Sequence, residues 1–63
     1  MVFVSELMIG HPEFTSFEQL ENAVVNAALA GEIHLYLDIQ PEYPDTPREW
    51  RQRLEFVFSR AKR

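Results

Sequence analysis

Aliphatic and polar positions alternate along one stretch in the middle of the chain. From Ile33 to Ile39 every second residue is aliphatic, and the residues between them are His34, Tyr36 and Asp38. A two-residue period is typical of a strand with one buried face and one solvated face. The sequence therefore predicts a strand over about residues 33–39, which ends before the proline-rich stretch PEYPDTP.

A helical period precedes this strand and predicts a helix over about residues 15–30. Thr15 and Glu18 have the spacing of a capping box, and Gly31 is the expected left-handed stop. Val25 and Leu29 lie off the main stripe, which indicates a second apolar face that contacts another element or another copy. The main apolar stripe consists of Phe17, Leu20, Val24, Ala27 and Ala28.

A second helix is predicted over about residues 46–62. Thr46 is expected to cap it, Pro47 suits the first helical position, and Glu49 completes another capping box. The expected core stripe is Trp50, Leu54, Val57 and Ala61, with Phe58 at its edge.

The N-terminal residues fit two descriptions. The letters VFV favour a strand, whereas SELMIGHP favours one helical turn that Ser5 caps and that Gly10 and Pro12 end. The expected class is a small α+β fold in a single domain, residues 1–63; the alternative is a mostly α small dimer. Because a lone two-stranded sheet is marginal in water, the strand at 33–39 is expected to find a partner in a second copy.

The size of the chain also favours self-association. A chain of 63 residues buries a small core, and such domains usually need disulfides, a metal or oligomerisation. Cys is absent, and the two histidines, His11 and His34, are far apart in the sequence. We therefore expect a homodimer with no cofactor and no metal site. No apolar run reaches the length of a membrane span, and the N-terminus lacks the positive charge of a signal peptide, so a cytoplasmic location is expected.

Charge is distributed unevenly along the chain. All six basic residues lie within residues 48–63, which carry a net charge of +4, whereas residues 1–47 carry −8. On a helical wheel, however, the bases flank the apolar stripe of the last helix on both sides. A helix that reads nucleic acid ordinarily presents its bases on one exposed face. The pattern therefore favours a helix that packs against the acidic half of the protein or docks on an acidic partner.

Phe56 is the residue that this packing does not explain. It lies away from the core stripe, with Arg53 three positions before it and Arg60 four positions after it. An aromatic side chain between arginines on an exposed face has the composition of an interface anchor. We therefore interpret Arg53, Phe56 and Arg60 as a protein-binding surface, while cover by a neighbouring element of the fold is the alternative for Phe56.

Catalytic chemistry is not indicated. His34 and Asp38 share a strand face but lie about 13 Å apart, too far for a base and the group that orients it. No serine has the context of a nucleophile, and no glycine loop cradles a phosphate. The expected function is a non-enzymatic protein-interaction module. The alternatives are a nucleic-acid-binding regulator that uses the basic C-terminal helix and an acidic decoy that occupies a basic site.

In length, lack of Cys and dense, non-repetitive content from MVFVSELMIG to FSRAKR, the chain resembles the small early-region accessory proteins of temperate lambdoid bacteriophages. The resemblance implies an accessory regulator that binds a host or phage protein. It assigns a role to no individual residue.

Overall fold

Three helices and one pair of short strands form the fold in the computed structural model, which describes residues 1–61. This confirms the expected small α+β class. In chain order the elements are β1 (Val2–Phe3), α1 (Val4–Gly10), α2 (Phe17–Leu29), β2 (Leu35–Tyr36) and α3 (Trp50–Ala61).

The sheet is a parallel pair that joins the N-terminus to the middle of the chain. Val2 pairs with Leu35 and Phe3 with Tyr36, and the Phe3 and Tyr36 rings stack with their centroids 4.8 Å apart. The regular strand is shorter than the predicted 33–39, because β1 offers only two residues before the chain turns into α1.

The buried face predicted for residues 33–39 is present only at its centre. Leu35 and Leu37 pack partly against the core, but Ile33 and Ile39 remain 63% and 41% exposed. The alternation therefore gives the correct direction for the central side chains and is wrong for the burial of the two terminal isoleucines.

Both descriptions of the N-terminus are correct in part, because β1 leads directly into α1. Ser5 does not cap this helix. Instead, its N–H and its hydroxyl both donate hydrogen bonds to the carboxylate of Asp38, which lies just beyond β2. The hydrogen bond from the hydroxyl is the main reason that the pKa of Asp38 is lowered. Ser5 therefore ties the first turn of α1 to the segment after β2.

The N-cap of helix α2 lies one residue later than predicted. Ser16, not Thr15, is the cap, and its hydroxyl accepts a hydrogen bond from the Gln19 N–H, while the Gln19 side chain accepts one from the Ser16 N–H. Both residue pairs have the capping-box spacing, so the sequence alone does not choose between them. The later start leaves the N–H groups of Phe17 and Glu18 to be satisfied by another partner.

That partner is Asp45, which lies in the connection before α3. Its carboxylate accepts hydrogen bonds from the Phe17 N–H at 2.6 Å and from the Glu18 N–H at 3.4 Å. The first helical N–H groups have no partner within a helix, and a negative charge at this end also interacts favourably with the helix dipole. The bond from the Phe17 N–H is the main cause of the lowered pKa of Asp45.

Replacing Asp45 with asparagine is therefore expected to destabilise the fold in a pH-dependent way. A carboxyl with a lowered folded-state pKa stabilises the protein above its unfolded pKa and loses that effect as the pH falls through the folded value. The free energy of unfolding of Asp45→Asn should be below that of the wild-type protein at neutral pH. The difference should narrow as the pH falls below the ordinary value of 3.8.

Urea unfolding across this pH range measures the effect. Glu42→Gln is the matched control, because it removes an exposed carboxylate from the same connection. If the free energies of unfolding of Asp45→Asn and the wild-type protein differ by the same amount at every pH, this assignment is wrong.

Helix α3 also begins later than the predicted position 46. The Thr46 hydroxyl accepts a hydrogen bond from the Tyr43 N–H, and the Thr46 N–H donates to the Tyr43 carbonyl, so Thr46 closes a turn and does not cap the helix. The helix starts at Trp50. Its predicted extension to residue 62 and the basic tail, Lys62 and Arg63, lie outside the described residues.

The core lies mainly between α2 and α3. On α3 the buried positions are Trp50, Leu54 and Phe58. Phe58, which was predicted at the edge of the stripe, is therefore a core residue in place of Val57. Val57 and Ala61 are only partly buried. Because the buried residues of α3 recur every four positions, the buried stripe passes through Phe58 and leaves Val57 and Ala61 at its margin. The remaining buried hydrophobic residues are Val2, Val4, Phe17, Leu20, Val24 and Ala28.

Gly31 ends the α2 region as predicted, with a positive φ of 104°. Across residues 1–61, none of the helices has the length and apolar character needed to cross a membrane.

Candidate functional site

An apolar groove runs between the C-terminal halves of α2 and α3. Phe56 on α3 is 59% exposed and Leu29 on α2 is 68% exposed, so both present large hydrophobic surfaces to solvent. The groove has a volume of about 380 Å³, and its lining is Val25, Leu29, Phe56, Val57, Arg60 and Ala61. It exists because the residues off the buried stripe of each helix meet on the same side of the helix pair.

Arg60 provides the charge of this groove. It is the one charged side chain among the lining residues that the structure describes. Its guanidinium carbon lies 5.8 Å from the centroid of the Phe56 ring, a cation–π distance. The groove therefore offers a flat aromatic surface with a positive charge held beside it.

Arg53 lies apart from this groove, although it is close to Phe56 in the sequence. Its Nε donates to the Glu21 carboxylate at 2.6 Å, which links α3 to α2. The structure thus brings Phe56 and Arg60 together and gives Arg53 a contact within the fold. This ion pair agrees with the expectation that bases at the margin of α3 meet acids of the preceding half.

The other bases of this region do not form a common face. The Arg51 guanidinium carbon lies 4.9 Å from the centroid of the Trp50 ring. Arg48 is exposed in the turn that precedes the helix. Arg51, Arg53 and Arg60 therefore each contact a different neighbour within the fold, and the part of α3 that the structure describes presents no continuous basic strip.

A second and larger groove, of about 600 Å³, lies between α1 and α2. At its rim, His11 Nδ1 lies 3.1 Å from Glu13 Oε2, and the His11 ring stacks on Phe14 with a centroid separation of 4.6 Å. The pKa of Glu13 is lowered by a hydrogen bond from its own backbone and then by His11. The Gln19 side chain, also at this groove, is held by the N–H groups that precede α2. Several of its polar groups thus already interact with one another.

Among the described residues there is no group of three or more His, Cys, Asp or Glu side chains placed to hold a metal ion. Asp38, which the alternating pattern places on the same face as His34, accepts a hydrogen bond from the Ser5 N–H.

Most members of the α2–α3 groove are recognisable from the sequence, but not as one site. Phe56 and Arg60 were assigned to a binding surface, Val25 and Leu29 to a second apolar face, and Val57 to the core. The off-stripe position of Leu29 was the signal that could have joined α2 to the site. The angle and register at which the two helices pack determine that these faces meet.

The comparison of this chain with known protein families, with curated proteins and with solved structures finds no match. The interpretation of the α2–α3 groove therefore depends on its own geometry and charge.

Proposed function

We propose that this protein is a non-enzymatic interaction module that binds a partner protein in the α2–α3 groove. The observation that carries the proposal is the exposure of Phe56 beside Leu29, with Arg60 stacked at the edge. Large apolar side chains that line one groove on a surface, with a charged residue at the rim, are the composition of protein interfaces.

The charge of the groove specifies the kind of partner. Arg60 gives it a positive edge, and the other lining residues are apolar. An arginine guanidinium forms its strongest hydrogen bonds with carboxylates. The best-matched partner is therefore an amphipathic segment that places two or more apolar side chains on Phe56 and Leu29 and an Asp or Glu side chain on Arg60.

Peptide selection tests this proposal directly. A displayed library of amphipathic peptides is selected on the wild-type protein, and the affinities of the enriched peptides are measured by calorimetry. We expect enriched peptides to combine apolar residues with Asp or Glu. Phe56→Ala should weaken their binding about 30-fold, the typical effect of truncating an aromatic residue at the centre of an interface.

Ile9→Ala is the matched control, because Ile9 is a 78% exposed aliphatic residue on α1 and is not part of the groove. Its affinity should stay within about twofold of wild type, and Arg60→Glu should reverse the preference for acidic peptides. The proposal is wrong if Phe56→Ala unfolds the protein, as judged by circular dichroism, or if both alanine variants bind the peptides equally well.

The resemblance to phage accessory proteins adds the proposal that the partner is a regulatory protein of a host or a phage. The alternative of nucleic-acid binding through α3 gains little support from arginines that contact Trp50, Glu21 and Phe56. A salt titration distinguishes nucleic-acid binding from protein binding, because affinity for DNA phosphates falls steeply as the salt concentration rises.

A further inference from the structure

One edge of the small sheet carries backbone groups that β1 does not use. In a parallel pair, the N–H and C=O groups of alternate residues point towards the partner strand. The Val2 N–H donates to the His34 carbonyl, so His34 and Tyr36 direct these groups to β1. Leu35 therefore directs its N–H and C=O to the opposite edge. Within the described residues the sheet has two strands, so no further strand lies beside Leu35.

The side chains along this segment have a self-complementary order. On both sides of Tyr36 the chain reads Leu, then a polar residue, then Ile, and the polar residues are His34 on one side and Asp38 on the other. Such a segment matches a reversed copy of itself. An antiparallel pair with its twofold axis at Tyr36 places each Leu35 opposite Leu37 of the second copy and each His34 opposite Asp38 of the second copy.

We infer that the protein forms a homodimer by antiparallel pairing of residues 33–39 with the same segment of a second copy, about a twofold axis at Tyr36. The pairing joins two two-stranded sheets into one four-stranded sheet in the order β1, β2, β2, β1. It satisfies the outward N–H and C=O of Leu35 and makes the strand as long as its alternating pattern predicts.

Antiparallel pairings in the two neighbouring registers are less favourable than the one with its axis at Tyr36. Antiparallel pairs that use this same edge can also place the axis at Leu35 or at Leu37. With the axis at Leu35, Glu32 lies opposite Asp38 of the second copy, which sets two like charges together. With the axis at Leu37, His34 lies opposite the neutral Gln40. The axis at Tyr36 alone sets each His34 opposite a carboxylate, and Ser5 holds that carboxylate in place.

A second copy suits this edge for two further reasons. Ile33 and Ile39 have 63% and 41% of their surfaces exposed, and this register brings each isoleucine beside the other isoleucine of the partner copy. An isolated two-stranded sheet is marginal in water, and the pairing supplies the third and fourth strands that, with a hydrophobic face, add to its stability. The pairing does not involve the α2–α3 groove, so it does not depend on the proposed function.

A cysteine scan tests the register, because the natural chain contains no cysteine. Opposed residues at the axis form a non-hydrogen-bonded pair with Cα atoms about 4.5 Å apart, within the range of a disulfide. Tyr36→Cys should therefore form a disulfide-linked dimer rapidly with oxidised glutathione. His34→Cys is the control, since its two copies lie about 14 Å apart in this register, and it should react at least tenfold more slowly.

Sedimentation of the unmodified protein should give twice the chain mass of 7.4 kDa. His34→Asp sets like charges opposite each other twice and should weaken the dimer about tenfold, whereas His34→Lys should preserve it. His34 is exposed, so both variants should keep the wild-type circular dichroism. A monomeric wild-type protein, equal crosslinking of the two cysteine variants, or dissociation caused by Phe56→Ala in place of His34→Asp would overturn the inference.

Discussion

Replacing Leu54 with alanine is expected to cost about 2–5 kcal/mol of folding free energy. Leu54 is fully buried on α3, between Trp50 and Phe58 on the buried stripe that packs against α2. Its truncation removes apolar contacts and leaves a cavity where the two helices meet. A domain of this length has a total stability of only about 3–9 kcal/mol, so Leu54→Ala should lose a large share of that stability.

Urea unfolding followed by tryptophan fluorescence measures this loss, because Trp50 is the single tryptophan and is itself buried. Leu29→Ala is the matched control: the residue type and the change are the same, but Leu29 is 68% exposed. Its free energy of unfolding should stay within about 0.5 kcal/mol of wild type. Both variants must be compared at one protein concentration, because mass action would stabilise the dimer that we propose. Equal losses for the two variants would contradict the described core.

Replacing each glycine with alanine is expected to change stability in opposite directions. Gly31 has a φ of 104°, and an added Cβ atom would meet no other atom within 4 Å. The cost of Gly31→Ala is therefore backbone strain alone, about 1–2 kcal/mol. Gly10 is the last residue of α1, it does not have a positive φ, and its surroundings are equally open. Gly10→Ala should stabilise the fold by about 0.5–1 kcal/mol.

Thermal unfolding distinguishes the two effects, with an expected change in Tm of about 4–8 °C per kcal/mol for a domain of this size. A chemically synthesised chain with D-alanine at position 31 is the most informative control. D-alanine adopts a positive φ without strain and restricts the unfolded chain, so it should restore or exceed wild-type stability. A D-alanine chain as unstable as Gly31→Ala would show that space, not backbone conformation, limits position 31.

Local patterns predicted the existence of α2 and α3 and the stop at Gly31, because these features depend on neighbours within a few residues. The capping of α2 shows where such patterns fail. Ser16 and Thr15 both have a suitable residue three positions later, and the choice also involves Asp45, which reaches the helix from 28 residues away. The same limit applies to β2, whose length is set by the two residues of β1.

The same difference between local patterns and contacts distant in the sequence applies to the candidate site. Its residues were recognisable one helix at a time, because Phe56 and Leu29 each lie off a buried stripe. That they line one groove depends on how α2 and α3 pack, which no local pattern specifies. Arg53 was also expected at the binding surface, but it forms an ion pair with Glu21, which is 32 positions away in the sequence.

The dependence of α2 on α3 has a consequence for partly unfolded chains. Leu20 and Val24 are completely buried in the core that α3 completes, and α3 begins only at Trp50. Whenever α3 is detached from α2, both side chains lose this cover, and residues 1–49 carry no base except Arg48. The electrostatic repulsion among the acids of that segment then opposes association between partly unfolded chains until α3 packs on α2 again.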